Sequence, residues 1–334
     1  MQTRKLGSTG PQVAQIGLGL MGMSHDWYGP ADRAEAIATI HAALDAGVTL
    51  LDTGDFYAMG HNELLLREAL AGRSRDAAQI SVKFGALRDP AGGFGGVDNR
   101  PASVKNFAAY SLQRLGVEHI DIYRPARLDP TVPIEDTIGA IADLIQGGYV
   151  RHIGLSEVGA DTIRRAHAVH PIADLQIEYS MISRGIEDGI LQTCRELGIA
   201  VTAYGVLSRG LISGHWNAQR QQDGDFRSHS PRFQGDNLQR NLALVEKVRA
   251  IAGEMGVSVA QVAIAWVLAQ GQDIVPLVGA RTRVRLAEAL GANDVTLSAA
   301  NLARLADAVP TGAVAGTRYP AHAMAHLDSE KRAS

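Results

Sequence analysis

Three residues, Asp52, Tyr57 and Lys83, are of types that can move protons together. Asp52 and Lys83 each stand near the end of an apolar run, LLDTG and ISVKFG, that is typical of a buried strand. A lysine in a buried strand needs a partner, because an unpaired charge is costly to desolvate. Neighbouring strands lie about 4.8 Å apart, so Asp52 can pair with it. Tyr57 follows on the next loop. An adjacent ammonium lowers the pKa of a phenol, so the trio predicts a relay with tyrosine as general acid or base.

Other chemistries compete for these residues. The alternative interpretation of the trio is a buried ion pair beside a packing tyrosine. A Schiff-base lysine also occurs in barrel strands, but that role favours an amine without a close carboxylate. The eleven histidines show no His-Glu-x-x-His or similar spacing, so we expect no metal site.

The elements that position these residues are eight short apolar segments that alternate with helical patterns. The predicted strands are 13–19, 49–54, 80–85, 120–125, 152–156, 175–180, 200–205 and 273–279, and clear helices span 30–47, 100–116, 133–148 and 258–271. Strand followed by helix predicts parallel strands with crossovers. Eight such units predict an α/β fold, a single (β/α)8 TIM barrel whose strand ends carry the chemistry. No composition shift marks a linker, so we expect one domain over 1–334.

Two regions lie outside this repeat. Residues 1–12 precede the first strand and could form an N-terminal β-hairpin that caps the barrel bottom. Residues 205–238 form a long polar connection after the seventh strand. Loops of this length are usually functional or disordered, and its place at the chemical face favours a role over a bound ligand. A tolerated insertion is the alternative.

The segment GLGLMG (17–22) matches the dinucleotide-binding pattern Gly-x-Gly-x-x-Gly. That motif requires a helix to begin at once, so that its N-terminus meets the pyrophosphate. Here MSHDWYGP follows and delays the helix to about residue 31. We therefore interpret the glycines as a strand end that allows close backbone approach.

Composition limits the partners and the compartment. A net charge of −3 and a pI near 6.4 give no reason to expect nucleic acid or an anionic membrane. The start MQTRKLGSTG has no apolar signal-peptide core, and no run of about 18 apolar residues occurs. The single cysteine, Cys194, is expected to be a small buried hydrophobe. We expect a soluble, cytoplasmic protein.

A basic cluster follows the last predicted strand. In VGARTRVRLAEALG (278–291), Arg281, Arg283 and Arg285 crowd the start of a helix. Helix N-termini favour anions, so cations there are explained if a phosphate bridges the arginines and the helix end. A solvated basic helix face is the alternative.

Taken together, these segments resemble the aldo-keto reductase superfamily, in particular bacterial members related to potassium-channel β subunits. The matching segments are GLGLMGMS, LDTGDFYAMGHNE, ISVKFG, RHIGLSEV, LQIEYSMISR, TAYGVLSRG and VGARTRVRLAE. The resemblance covers nearly the whole chain and implies a (β/α)8 barrel with a hairpin at its base. It also implies reduction of a small-molecule carbonyl by NAD(P)H, with Asp52, Tyr57 and Lys83 as catalytic residues.

The resemblance also implies a cofactor site. Ser156, Glu157 and Gln176 would lie beside the nicotinamide carboxamide, and Tyr204 would stack on the ring. Arg281, Thr282 and Arg285 would hold a 2′-phosphate, which favours NADP(H) over NAD(H). Glu288 would lie near the adenine. Ala289 stands where the family often has an asparagine, so one adenine contact differs. The remaining cofactor candidates are Gly19, Leu20, Met21, Asp52, Gly205, Leu207, Arg209, Gly210 and Gly279. Candidate substrate-pocket residues are Trp27, Tyr28, Phe56 and Tyr57, with Trp216 and Phe226 from the long loop.

One position departs from the family pattern. Many relatives read Asp-Leu-Tyr-x-x-His-Arg-x-Asp-Pro, and their histidine binds the substrate carbonyl oxygen; here DIYRPARLDP places Ala126 there. His119 lies at the wrong end of the strand, whereas His25 and His61 lie on mouth loops and stay open. We predict that Arg124, or a water beside Ala126, donates instead, and that Arg127 forms an ion pair with Asp129.

The sequence thus predicts NADP(H)-dependent reduction of an aldehyde or ketone to the alcohol. An NADP(H)-binding redox sensor or regulatory module with little turnover is the alternative that the missing histidine permits. The intact trio of Asp52, Tyr57 and Lys83 favours the enzyme.

Overall fold

A closed barrel of eight parallel strands forms the centre of the molecule. The structure is a computed structural model that describes residues 1–25, 27–216 and 225–331. The barrel strands are β3 (Gly17–Gly19), β4 (Leu50–Gly54), β5 (Gln79–Phe84), β8 (Ile120–Pro125), β9 (Val150–Ser156), β10 (Ile172–Glu178), β11 (Ala200–Tyr204) and β12 (Ile274–Gly279). They pair in this order, and β12 closes onto β3. The predicted (β/α)8 barrel is therefore confirmed.

Two antiparallel hairpins lie outside the barrel. The first joins β1 (Thr3–Lys5) to β2 (Gln12–Ala14), and its Leu6 and Val13 pack with Leu50 and Ile122 inside the barrel. This confirms the predicted N-terminal hairpin, although the predicted strand 13–19 is in fact two short strands. The second hairpin, β6 (Ala86–Arg88) with β7 (Phe94–Val97), was not predicted.

The helices surround the barrel and are α1 (Arg33–Asp45), α2 (His61–Leu70), α3 (Pro101–Leu115), α4 (Ile134–Gln146), α5 (Ala160–Val169), α6 (Ile190–Glu196), α7 (Gly235–Glu254), α8 (Val259–Ala269), α9 (Arg283–Leu290), α10 (Ala299–Ala308) and α11 (Ala321–Met324). Local sequence sets their ends. Asp32 caps α1, and Ser258 with Gln261 forms a capping box on α8. A 3₁₀ turn at Met21–Met23 ends the segment GLGLMG, and the first α-helix begins only at Arg33, close to the predicted start.

Two connections reach the mouth, the end of the barrel where the strands terminate. The connection after β11 contains short 3₁₀ turns at Ser208–Gly210, Phe226–His229 and Pro231–Phe233. Its residues 217–224 lie outside the described part of the chain. The predicted position of this loop over the cofactor therefore stays a prediction. The C-terminal segment after α10 returns to the mouth, where the backbone N–H of Ser329 donates to Glu157 O at 3.2 Å.

In the described part of the chain, no individual helix has both the length and the apolar composition needed to cross a bilayer. Only α7 and α8 taken together, bent by 90°, satisfy those two criteria. Cys194 is buried in α6 as a free thiol, and burial raises its pKa to about 12.

Candidate active site

A buried ion pair between Lys83 and Asp52 lies inside the barrel. Strands β4 and β5 are neighbours, and both side chains are almost fully buried, with 6% and 3% exposed. Lys83 Nζ donates to Asp52 Oδ1 and to the carbonyl oxygen of Thr53 at 3.1 Å. The other carboxylate oxygen accepts from Ser81 Oγ at 2.8 Å and Gln176 Nε2 at 2.7 Å. The pair is thus held from both sides.

Tyr57 lies above this pair at the mouth. Its ring centroid is 5.0 Å from Lys83 Nζ, and the residue is 6% exposed. The structure thus brings together the three residues of the predicted relay. Burial, reinforced by the charge of Asp52, raises the pKa of Tyr57 well above its ordinary value. The expected lowering of the pKa of Tyr57 is therefore wrong for this state, because desolvation dominates its surroundings. Burial also lowers the pKa of Lys83.

Arg124 is fully buried inside the barrel, on β8 directly opposite Lys83 of β5. Its Nη1 donates to Asp174 Oδ2 at 2.9 Å, and its Nη2 donates to Ser81 Oγ at 2.9 Å. Thr202 also donates to Asp174. The structure therefore corrects the prediction that Arg124 donates to the substrate: its guanidinium is committed to a buried carboxylate.

The three histidines considered from the sequence, His25, His61 and His119, make other contacts. His25 and His61 pack against each other, with centroids 5.3 Å apart, and His61 Nδ1 bonds with Ser24 Oγ at 3.0 Å. His119 lies 3.5 Å from Asp121 at the opposite end of the strand, as expected. Among the described residues, none of these rings has a hydrogen bond or ring contact with Tyr57 or Ala126.

Arg127 does not pair with Asp129, so that prediction is wrong. Asp129 instead accepts from the backbone of Asn99 at 3.2 Å and from Thr131. Arg127 Nη1 donates to Ala126 O at 2.6 Å. This contact places the guanidinium beside the end of β8, and its charge acts to lower the pKa of both Tyr57 and Lys83.

A second charged cluster, which the sequence interpretation missed, joins the mouth to the C-terminal segment. Arg318 donates to Glu157 Oε2 at 2.8 Å and lies 3.4 Å from Glu178. Arg209 and Arg232 lie 3.4 and 3.3 Å from Glu178. Although burial opposes ionisation, Arg318 holds the pKa of Glu157 well below its usual value. Glu157 thus carries a charge that arginine neutralises.

Tyr319 follows Arg318 across the mouth. Its hydroxyl lies 2.9 Å from that of Tyr204, which also donates to Glu157 at 2.7 Å. Arg209 lies over its ring at 4.6 Å. The segment GTRYP that carries Arg318 and Tyr319 has no helix or strand pattern, so nothing in the sequence indicated its place at the mouth.

The start of α9 carries the arginines expected to bind a phosphate. Thr282 caps the helix, and Arg285 Nη1 lies 3.0 Å from Glu288, which also bonds with His215 at 2.8 Å. Arg283 pairs with Glu35 at 2.9 Å. Arg281 donates to Tyr28 O at 2.8 Å and thereby holds the mouth segment. Each of the three arginines therefore has a partner in this structure, and that of Arg285 is Glu288 on the same helix.

The path between α9 and the barrel mouth suits an anionic group. Arg209 Nη1 is buried and has no hydrogen-bond partner in the described part of the chain. At Gly279, no heavy atom lies within 4 Å of the position that a Cβ would take. Strand ends and turns carry the remaining candidates, namely Gly19, Leu20, Met21, Gly205, Leu207 and Gly210. A buried guanidinium nitrogen without a partner fits an oxygen of a pyrophosphate.

Aromatic residues border the mouth, as expected for a pocket. Phe56 packs edge-on against Tyr57 with centroids 4.9 Å apart. Trp27 contacts Phe226 at 5.6 Å, and Arg227 lies over the Tyr28 ring at 5.3 Å. Trp216 is buried against Phe233 and so contributes packing. Among the described residues, no group of three or more His, Cys, Asp or Glu side chains is arranged to hold a metal.

This chain belongs to the aldo/keto reductase family, whose model matches residues 15–310. It is similar to "Probable aldo-keto reductase 1" of Glycine max, with 40% identity over 321 residues that cover 96% of this chain and 92% of the relative. Family members are oxidoreductases that reduce small-molecule carbonyl groups with a nicotinamide cofactor.

Solved structures give the same result for the fold. The glycerol dehydrogenase AKR11B4 from Gluconobacter oxydans superposes with a TM-score of 0.84 at 28% identity, covering 98% of this chain and 96% of that one. The holo form of aldo-keto reductase AKR11C1 from Bacillus halodurans has a TM-score of 0.78 at 24% identity, covering 93% and 97%. The latter supports the fold alone.

Proposed function

We propose that this protein uses NADPH to reduce an aldehyde or ketone reversibly to the alcohol, with Tyr57 as the general acid. The observation that carries this proposal is the placement of Tyr57 directly over the buried Lys83–Asp52 pair at the open end of the barrel. A structural ion pair with a packing tyrosine would not need the hydroxyl-bearing ring at the ligand-facing end. Family membership supports the same class of reaction.

Tyr57, Lys83 and Asp52 have different roles in the proposed reaction. The reduced nicotinamide, when bound, supplies a hydride to the carbonyl carbon. Tyr57 gives its phenolic proton to the carbonyl oxygen, and the proton is later regained from solvent. Lys83 stabilises the phenolate that this transfer leaves behind, since the ammonium lies 5.0 Å from the ring centroid. Asp52 keeps Lys83 in place and is itself fixed by Ser81 and Gln176.

We assign Ser156, Glu157, Gln176 and Tyr204 to the nicotinamide end of the cofactor, and Arg281, Thr282, Arg285 and Glu288 to the adenosine end. Tyr204 stands at the end of β11 and is only partly buried. Arg209 would meet the pyrophosphate with its unpaired Nη1. We place the chemistry in the cytoplasm, where NADPH is available.

The preference for NADPH has a direct test in Arg285. Replacing Arg285 with alanine removes a charged donor, and such hydrogen bonds contribute about 1.5–3 kcal/mol, so we expect the Kd for NADPH to rise about 10- to 100-fold. The Kd for NADH should change little. Arg283→Ala is the matched control, because Arg283 pairs with Glu35 on α1 and is not among the residues that we assign to the adenosine end. Fluorescence titration of both cofactors measures these values; an equal loss for NADH would contradict the assignment.

The high pKa of Tyr57 predicts opposite pH profiles for the two directions. A phenol whose pKa is raised stays protonated through neutral pH, which suits proton donation. We expect the rate of carbonyl reduction to stay constant between about pH 6 and 9, because even ordinary phenols lose their proton only near pH 10. Alcohol oxidation needs the phenolate and should accelerate with rising pH. Initial rates in both directions check this, and a reduction rate that falls between pH 6 and 9 would contradict it.

A redox sensor that binds NADP(H) with little turnover is the second candidate, and the absence of the family histidine at Ala126 is the observation that favours it. Steady-state NADPH oxidation with a panel of aldehydes and ketones separates the two. The panel should include glyceraldehyde and dihydroxyacetone, because one structural relative is a glycerol dehydrogenase. Turnover of at least one carbonyl supports the enzyme, whereas cofactor affinity without turnover supports the sensor.

A further inference from the structure

The mouth has no donor at the position where relatives carry histidine. Ala126 offers only a methyl group there and is 2% exposed. Its backbone N–H is also used, because it donates to Phe84 O at 2.8 Å. Arg124 is committed to Asp174 and Ser81. A donor other than Ala126 and Arg124 must therefore polarise the carbonyl oxygen alongside Tyr57 if the reaction is to keep two donors.

Arg127 lies next to this gap. Its half-buried side chain folds back so that Nη1 donates to Ala126 O at 2.6 Å, which fixes the guanidinium beside the end of β8. Its own carbonyl oxygen accepts from Asn99 Nδ2 at 2.8 Å, so the backbone is held as well. A guanidinium has five N–H donors, and this contact uses one of them.

The charge of Arg127 is available to a ligand. Of all the ion pairs in the described part of the chain, none involves Arg127. Burial disfavours its charge, yet Tyr319, Tyr204 and Glu157 outweigh that effect and raise its pKa. These neighbours all line the mouth, and the charge of Arg127 also acts to lower the pKa of Tyr57. A cation that has no carboxylate of its own and is held beside Ala126 is placed to stabilise a developing oxyanion.

We propose that Arg127 donates a hydrogen bond to the substrate carbonyl oxygen and so takes the part of the histidine absent at Ala126. This inference rests on the proposed carbonyl reduction. Arg127 keeps its proton throughout: the proton that ends on the oxygen comes from Tyr57, and the hydride comes from the reduced cofactor. Arginine does not titrate in the working range, so Arg127 adds no ionisation to the pH profile.

Kinetics of Arg127→Ala and Arg127→Lys test the proposal. Removing one oxyanion donor typically costs about 10²–10³ in kcat, so Arg127→Ala should lose that much while its Kd for NADPH stays within about threefold. Arg127→Lys should retain more activity, because it keeps a charged donor. Since the charge lowers the pKa of Tyr57, the alkaline limb for alcohol oxidation should move to higher pH in Arg127→Ala and less in Arg127→Lys. Millimolar methylguanidinium should restore part of the lost kcat.

The control is Arg100→Ala, since Arg100 is exposed and pairs with Asp98 near the same end of the barrel. Arg100→Ala should keep the wild-type kcat, the wild-type Kd for NADPH and the wild-type alkaline limb. If Arg127→Ala fails to fold, as judged by circular dichroism, Arg127→Gln replaces it in the same measurements. A kcat for Arg127→Ala within threefold of wild type, or a loss that is neither rescued nor accompanied by a shift of the alkaline limb, would overturn the proposal. A wild type that reduces no carbonyl would instead refute the proposed function.

Discussion

Replacing Tyr57 with phenylalanine should lower kcat for carbonyl reduction by about 10²–10⁴, the range that a positioned general acid supplies. The substitution removes only the hydroxyl, so the edge-on packing with Phe56 stays intact. Lys83 and Asp52 keep each other and their bonds to Thr53, Ser81 and Gln176. The Kd for NADPH and the melting temperature should therefore change little, and single-turnover kinetics at saturating NADPH would isolate the chemical step.

The control for Tyr57 is Tyr110→Phe on α3, where the ring is 57% exposed. This variant should keep the wild-type kcat. Retention of more than a tenth of the wild-type kcat in Tyr57→Phe would show that another group protonates the oxygen. The interpretation of the trio as a packing tyrosine beside an ion pair would then be correct.

Replacing Arg124 with methionine should destabilise the fold by about 3–5 kcal/mol, because it leaves Asp174 buried without its cation. Both side chains of this pair are fully buried. Thr202 and the backbone alone cannot neutralise the remaining carboxylate. The double variant Arg124→Met/Asp174→Asn should recover part of the loss, since it removes the uncompensated charge. Urea unfolding at pH 7 measures both free energies.

An exposed pair provides the comparison for Arg124. Arg165 and Glu135 are 55% and 40% exposed, so Arg165→Met should cost less than about 1 kcal/mol. A stability loss for Arg124→Met as small as that of the control, together with a 10²-fold fall in kcat, would contradict the assignment. Arg124 would then be the substrate donor that the sequence first indicated.

The sequence was sufficient to predict the barrel and the proximity of Asp52, Tyr57 and Lys83, because both depend on local patterns. Strands such as ISVKFG have a period of two, which places Ser81 and Lys83 on one face, and register then brings Asp52 beside them. The same alternation could have revealed Ser81 as a partner of Asp52. Arg124 fits the same alternation, because it shares the inner face of β8 with Ile122. Its role could not be predicted, because its partner Asp174 lies on a strand distant in sequence.

Contacts made by irregular segments were not accessible from the sequence. Arg318 and Tyr319 reach Glu157 and Tyr204 from a loop more than a hundred residues away, and no periodicity marks them. Arg127 was assigned to Asp129 because two oppositely charged residues lie two positions apart. Backbone geometry decides otherwise, since Asn99 and Thr131 satisfy Asp129 and leave Arg127 at the mouth.

Transfer of deuterium from NADPH labelled at the transferable C4 position to a carbonyl substrate tests the central claim most directly. An aldehyde or ketone that supports NADPH oxidation in the panel is used, and the alcohol is analysed by mass spectrometry. We predict one deuterium on the former carbonyl carbon for each NADPH consumed, and no labelled alcohol from Tyr57→Phe within the same time. Two results would contradict the account. Either NADPH binds and is consumed without forming a labelled alcohol, or NADPH binds but is not consumed in the presence of any carbonyl.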